Sequence, residues 1–330
     1  MKITVIGTGA MGCLFGGLLT EYGVDVQLLG VRKQQINTLN KQGLAIVYQG
    51  KKRIIRVRAT VDPAEIIGTE LAVLFVKHAQ TAEAARSAAS LLGSTGYALT
   101  LQNGMGNAEI LADILGKDRV LCGTTAQGAM VLKPGKVQHS GNGETVLGMW
   151  GQGKDAVEDA VEDAIEDPVE DPVGTEVAKI FSAAGIYSET VDDIIPVLWK
   201  KLFVNVGINA ITALTGLRNG QLLAHEDARL LIRDVVAEAM AVAKAYSIEV
   251  PADILEHVEQ VAQATASNRS SMGQDIDNQR PTEIDAINGY IVRKAEKVGL
   301  AVPVNQTLVR LVQVVQGQYM TSERQRNCLA

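Results

Sequence analysis

Three cysteines in 330 residues, Cys13, Cys122 and Cys328, are too few and too widely separated for a disulfide framework or a metal cluster. The four histidines, His78, His139, His225 and His257, also lack metal-ligand spacing, so no metal site is expected. A large basic cluster is missing too. The formal charge is -6 and the pI about 5.4, which offers no electrostatic footprint for nucleic acid or for an anionic membrane surface. No apolar run approaches transmembrane length, and Met1 leads straight into Lys2-Ile3-Thr4-Val5-Ile6 rather than into a signal peptide. These absences predict a cytoplasmic protein of small-molecule chemistry, with neither nucleic acid nor membrane as partner. With 47% hydrophobic residues, the chain is long enough for two domains with substantial cores.

What is present at the N-terminus is a strand, a glycine turn and a helix, in the order a dinucleotide site requires. Residues 2–6 are followed by Gly7-Thr8-Gly9-Ala10-Met11-Gly12, then by an apolar helical pattern through Leu14, Phe15, Leu18 and Leu19 that stops at Gly23. Gly7 permits the tight turn, Gly9 lets the backbone approach a pyrophosphate, and Gly12 lets the helix pack on the strand. The amides and dipole of the helix N-terminus favour an anion there. The next strand, 26–29, runs into Gly30-Val31-Arg32-Lys33. An NAD site would carry an acid here for the ribose 2′-hydroxyl; two cations instead suit the 2′-phosphate of NADP(H), or else simply begin a solvated helix. A strand over 71–76 runs into Lys77, and one over 97–101 into Gln102-Asn103-Gly104-Met105-Gly106. In open α/β sheets ligands lie beyond the carboxyl ends of the strands, so Lys77 and Asn103 fall where a nicotinamide would meet its substrate. Asn103-Gly104 also reads as a turn that needs a left-handed residue. Residues 120–148 read as short strands completing the sheet.

Residues 155–173 repeat with a period of four and hold nine acids; removing those nine from a net charge of -6 leaves about +3. A four-residue period keeps no apolar stripe on one helix face, and Pro168 and Pro172 interrupt a helix, so an insert over 154–173 is predicted to be a mobile surface loop. A helix over 176–184 and a last strand over 187–191 follow. From Ile194 onward amphipathic helices dominate: one around 199–209, then 227–246, 252–266, 282–298 and 305–316, punctuated by Pro251, Gly299 and Pro303. The fold class is therefore α/β. A Rossmann-type dinucleotide-binding domain over 1–193 precedes an all-α domain over 194–330.

The first of those helices carries the most chemistry. Lys201, Asn205 and Asn209 lie four residues apart and share a face, beside an apolar stripe of Leu198, Leu202, Val206 and Ala210. Asparagine has poor helix propensity, so two in mid-helix imply a polar face that looks into a partly buried cleft rather than open solvent.

With these motifs the chain resembles the ketopantoate reductase family (2-dehydropantoate 2-reductases) over essentially its full length. The resemblance is carried by residues 7–12, Asn103-Gly104-Met105-Gly106, Trp199-Lys200-Lys201-Leu202 with Asn205 and Asn209, Asn219-Gly220, Asn268 to Met272, Thr282-Glu283-Ile284-Asp285, and Ile287-Asn288-Gly289. It implies NADPH-dependent reduction of 2-dehydropantoate (ketopantoate) to (R)-pantoate, a step of pantothenate and coenzyme A biosynthesis. Lys201 would be the catalytic lysine, Glu283 its acidic partner and acceptor for the substrate hydroxyl, and Asn205, Asn209, Asn219, Asn268 and Ser271 the substrate-binding residues. The cofactor would be NADP(H), held by Gly7, Thr8, Gly9, Ala10, Met11, Gly12, Arg32, Lys77 and Asn103. Two departures stand out: the family's arginine after the second strand comes one position late, as Arg32, and the acidic repeat lies outside the motifs. Glu283 also reads as an acid favouring a helix N-terminus, and Ser270 and Ser271 as caps. Reduction of another 2-oxo or 3-oxo acid, or a non-catalytic NADP sensor, are the rival functions. The sequence leaves a homodimer open.

Overall fold

The structure, a computed structural model, describes residues 1–151 and 171–328. The chain divides into two compact units, Met1–Gln102 with Asn107–Val197, and Asn103–Gly106 with Leu198–Ala330. In chain order the first unit holds β1 (Lys2–Ile6), α1 (Ala10–Tyr22), β2 (Asp25–Leu29), α2 (Lys33–Gln42), β3 (Leu44–Tyr48), β4 (Lys51–Ile55), β5 (Arg58–Thr60), β6 (Leu71–Leu74), α3 (Thr81–Leu92), β7 (Tyr97–Thr100), α4 (Asn107–Leu115), β8 (Val120–Thr125), β9 (Gly128–Lys133), β10 (Lys136–Gly141), β11 (Thr145–Met149), α5 (Pro172–Ala183) and β12 (Ser188–Thr190).

Eight of these strands form one sheet in the order β12-β11-β8-β7-β6-β1-β2-β5. Pairing is parallel from β5 across to β8, antiparallel between β8 and β11, and parallel again at β12. A parallel sheet buried on both faces needs near-continuous apolar strands, and Ile3, Val5, Leu71, Val73 and Leu99 in its centre are all fully buried. Phe15 of α1 packs on Phe75, ring centroids 4.8 Å apart, and edge-on against Phe181 of α5 at 5.7 Å. The chain winds from β1 to β2 on one side and later to β6 on the other. The strand order thus reverses between β1 and β6, where open α/β sheets bind ligands.

Three sequence expectations for this unit are corrected. The strands in 120–148 do not all complete the main sheet: β8 and β11 do, but β9 and β10 join β3 and β4 in a four-stranded sheet of order β4-β3-β10-β9. Local pattern cannot assign a strand to one of two sheets. Here the edge strand β4 exposes Lys51, Lys52 and Arg53, charges that discourage pairing with another chain. Next, Pro172 starts a helix rather than breaking one. It occupies the first turn of α5, where a missing N–H is no loss, and Asp171 caps the helix by accepting from the Gly174 N–H at 2.7 Å. The rest of the acidic repeat lies outside the described residues. Finally, the strand into Lys77 ends at Leu74.

The second unit is helical, with α6 (Ile195–Thr215, its first three residues in the other unit), α7 (Glu226–Ala245), α8 (Ile254–Ala264), α9 (Ser271–Asp277), α10 (Asn288–Lys297) and α11 (Pro303–Cys328). Against expectation, α6 is long and apolar enough to cross a membrane by length and composition; 67% of that stretch is buried inside the protein, as befits a core helix. Its Trp199, Leu202, Phe203, Val206 and Ala210 are fully buried, and Trp199 contacts the rings of Phe203 and Tyr290. The single helix expected over 282–298 is instead a 3-10 turn, Ile284–Ala286, followed by α10. Ile287, at φ -106° and ψ -95°, lies outside the helical region and separates them. Residues 284, 286 and 287 are buried and Asp285 is exposed, so the stretch keeps one solvent-facing residue rather than the polar stripe of a surface helix.

Candidate active site

The glycine turn behaves as its sequence requires. Gly7 leaves β1 at φ +108°, and a Cβ there would lie 2.7 Å from the Phe75 carbonyl oxygen; at Gly12 it would lie 1.9 Å from the carbonyl oxygen of Gly7. Any side chain at either position would break the turn or push α1 off the strand. At Gly9 the same hypothetical atom meets nothing within 4 Å, so an open cradle remains beside the first amides of α1. That combination fits a pyrophosphate. Thr8 is buried, and its carbonyl accepts from the Gln35 side-chain amide and from the Cys13 thiol, the latter at 3.4 Å. Ala10 and Met11 are half-buried in the first turn of α1.

Arg32 is the N-cap residue of α2 and Lys33 its first residue, so the solvated helix start foreseen for them is real. Both side chains are exposed, and among the described residues neither is in an ion pair. They remain free to meet an anion. Lys77, half-buried, begins a 3-10 turn, His78–Gln80, beyond the carboxyl end of β6. A polar network ties this end to that of β7. Gln102 donates to the Val76 carbonyl at 2.8 Å and to Thr81 Oγ1 at 2.9 Å, while Asn107 Oδ1 takes Thr81 Oγ1 at 3.0 Å and lies 2.8 Å from His78 Nδ1.

In the second unit α6 carries Lys201 and Asn205, both half-buried, and Asn209, 5% exposed. The Nδ2 groups of Asn205 and Asn209 are buried with no hydrogen-bond partner among the described residues. Lys201 titrates well below an ordinary lysine. Desolvation pushes its ammonium down from 10.5 to about 8, while the carboxylate of Glu283 pulls it back up. Glu283 is 7% exposed and precedes only a three-residue 3-10 turn, where its side chain makes no capping bond. A helix-dipole role therefore does not account for it. Asn103-Gly104-Met105-Gly106, read in sequence as part of the sheet domain, groups with this second unit. Gly104 takes φ +80°, a Cβ there would lie 2.4 Å from the Ala286 carbonyl oxygen, and Met105 N–H donates to that oxygen at 2.8 Å. The loop thus packs on the turn that follows Glu283, and the left-handed residue foreseen in it is Gly104.

Asn219, 8% exposed, donates its backbone N–H to the Asn268 carbonyl at 3.0 Å and its Nδ2 to Thr265 Oγ1 at 2.9 Å; its Oδ1 is buried without a partner. Asn268 joins this cluster through its backbone, its side chain being exposed. The Ser271 side chain is exposed as well. The buried serine is Ser270, which caps α9 by accepting from the Gly273 N–H at 3.0 Å and lies 2.6 Å from Thr212 Oγ1. Sequence reasoning missed this tie and its companion, Arg269. That guanidinium makes two bonds to the Asp277 carboxylate, at 2.8 and 2.9 Å, and others to the carbonyls of Thr212 and Leu217. Together they join the C-terminal end of α6 to the 268–270 loop. A serine three residues before Gly273 was the available cap signal; nothing local announces Arg269. Among the described residues no group of three or more His, Cys, Asp or Glu is placed to hold a metal ion, and Cys13 and Cys122 are buried free thiols.

Residues 3–152 match the ketopantoate reductase PanE/ApbA family, and residues 193–316 the family described as ketopantoate reductase PanE/ApbA C terminal. Among curated relatives, the 2-dehydropantoate 2-reductase of Halobacterium salinarum is 36% identical over 96% of this chain and 99% of its own. A PanE/ApbA family ketopantoate reductase from Ralstonia eutropha JMP134 superposes with a TM-score of 0.85 at 32% identity, covering 97% of this chain and 100% of that one. A D-mandelate dehydrogenase, solved with NADH and anilino(oxo)acetate, matches with a TM-score of 0.85 at 27% identity over 97% of this chain and 99% of its own. With both units matched and relatives aligned from end to end, the chain belongs to the ketopantoate reductase PanE/ApbA family of oxidoreductases.

Proposed function

We propose that this chain reduces 2-dehydropantoate (ketopantoate) to pantoate with NADPH, using Lys201 as the proton donor. The observation that carries the reading is the Lys201 ammonium, desolvated to a titration near 8, coupled to a buried carboxylate and set on one helix with two carboxamides whose N–H groups lack partners. The hydride for the ketone carbon would come from NADPH when bound. As hydride adds to carbon, the π electrons of the carbonyl move to its oxygen, and a positive hydrogen-bond donor stabilises the negative charge that builds there. Lys201 fills this role and then gives the oxygen its proton, so hydride and proton together yield the alcohol. Glu283 keeps the lysine protonated against its desolvation. The Asn205 and Asn209 amides, as donors, hold oxygen atoms of the substrate. Ser271 and Asn268 bind its carboxylate.

For the cofactor, Gly7 to Gly12 cradle the pyrophosphate and Arg32 with Lys33 bind the 2′-phosphate, since no acid follows β2 to hold a ribose hydroxyl. Lys77, beyond the carboxyl end of β6, would line the nicotinamide end. The mandelate relative, solved with NADH and an oxoacetate, favours a second reading in which another 2-oxo acid is the substrate. Initial rates with NADPH and with NADH on ketopantoate, ketoisovalerate and phenylglyoxylate separate the two. The proposal expects the highest kcat/KM for ketopantoate with NADPH; a preference for phenylglyoxylate, or for NADH, contradicts it.

A further inference from the structure

We propose that Thr265 is a positioning residue: it fixes the Asn219 carboxamide so that the carbonyl oxygen of Asn219 reads a hydroxyl group on the substrate. This rests on the 2-oxo acid reading above. Thr265 ends α8, and its hydroxyl donates to the Val261 carbonyl one turn earlier, at 2.7 Å. A hydroxyl has one proton. With that proton committed, Thr265 Oγ1 can only accept from Asn219, which brings Nδ2 to within 2.9 Å. Turning the amide by half a revolution would set one oxygen against another with no hydrogen between them, so Thr265 admits a single orientation.

In that orientation Asn219 Oδ1 is buried and has no partner among the described residues. The residue cannot swing away to find one: it is 8% exposed, and its backbone N–H is bonded to the Asn268 carbonyl. A buried acceptor left without a donor is unfavourable, so a ligand that brings an O–H or N–H gains by supplying it. The polarity of the unpartnered groups assigned to substrate binding identifies which part of the ligand this is. Asn205 and Asn209 present unpartnered donors, which suit a carboxylate or ketone oxygen. Asn219 presents an acceptor, and among the carboxylate, ketone and hydroxymethyl groups of ketopantoate only the hydroxymethyl has a proton to give at neutral pH. The hydroxyl assigned by resemblance to Glu283 thereby goes to Asn219, leaving Glu283 to its coupling with Lys201.

The test compares Thr265→Val, which keeps the shape and removes the acceptor, with Thr265→Ser, which keeps the hydroxyl. Thr265→Val is expected to lower kcat/KM for ketopantoate about tenfold, the size of one neutral hydrogen bond, while ketoisovalerate, which lacks the hydroxyl, changes by less than about twofold; Thr265→Ser restores the ratio. Equal losses on both substrates, or an unchanged ratio, would overturn the proposal. Independently of turnover, the Asn219 NH2 resonances can be followed in protein labelled with 15N at asparagine and assigned by their loss in Asn219→Asp. They are expected to shift and to exchange faster in Thr265→Val but not in Thr265→Ser; resonances that do not move would also overturn it. Should the wild type reduce neither ketoacid, the reductase reading fails, and the amide resonances still decide whether Thr265 orients Asn219.

Discussion

A lysine that titrates near 8 gives up its proton more readily than it does in the unfolded chain, and the sign of its effect on stability follows. Its folded pKa lies below the ordinary 10.5, so below about pH 8 both folded and unfolded forms carry the proton and the desolvation penalty is fully present. Between about 8 and 10.5 the folded form sheds its proton first, and stability contributed by this site rises with pH. Lys201→Met should therefore stabilise the protein at pH 7, on the order of 1–3 kcal/mol. Thermal melts across this pH range check it: the melting temperature of the variant exceeds that of the wild type at pH 7, and the gap closes as pH approaches 10.5. A variant less stable at pH 7 contradicts the desolvation. Arg32 gives the second residue-scale prediction. Removing a guanidinium that bonds a 2′-phosphate forfeits charge-assisted hydrogen bonds, so Arg32→Ala should raise KM for NADPH roughly 10- to 100-fold and leave KM for NADH unchanged. Equal effects on the two cofactors would assign the phosphate to Lys33 or to neither.

At the scale of elements, the start of α11 is held from another helix. Glu238 of α7 accepts from the backbone N–H groups of Val304 and Asn305, at 2.8 and 2.9 Å, and from Asn305 Nδ2 at 2.8 Å. It satisfies orphan donors and places a negative charge at the positive end of the helix. Glu238→Ala should lower stability by about 1–2 kcal/mol, as loss of a cap does, with KM for both substrates unchanged; urea unfolding measures it. Such cross-helix capping has no signature in sequence, and the same limit governs what else was legible. The β1, glycine turn and α1 unit was readable residue by residue, because its signals are local: apolar strand, Gly-x-Gly-x-x-Gly, helical period. So was the polar face of α6. The four-stranded sheet, the break at Ile287 and the assignment of Asn103 to the helical unit were not. Each depends on which distant segment a local pattern packs against, and Gly104 lies against Ala286, far along the chain. Burial separates Ser270 from Ser271, and adjacent serines in a sequence carry no mark of it.

For the whole molecule, the residues proposed to hold the cofactor fall mostly in one compact unit and those proposed to handle the ketoacid in the other, with Asn103 grouped among the latter. Binding and chemistry should therefore separate under mutation, with Lys201→Ala still taking up NADPH. The measurement that tests the central claim most directly is the pH dependence of kcat/KM for ketopantoate, followed through oxidation of NADPH, in the wild type and in Lys201→Ala. Lys201 as proposed proton donor acts only when protonated, so the wild-type profile should fall with an alkaline limb near 8. Lys201→Ala should lose roughly 10²- to 10⁴-fold in kcat and lose that limb with it. A Lys201→Ala enzyme within a few-fold of the wild type, or one that keeps the same alkaline limb, would contradict the account.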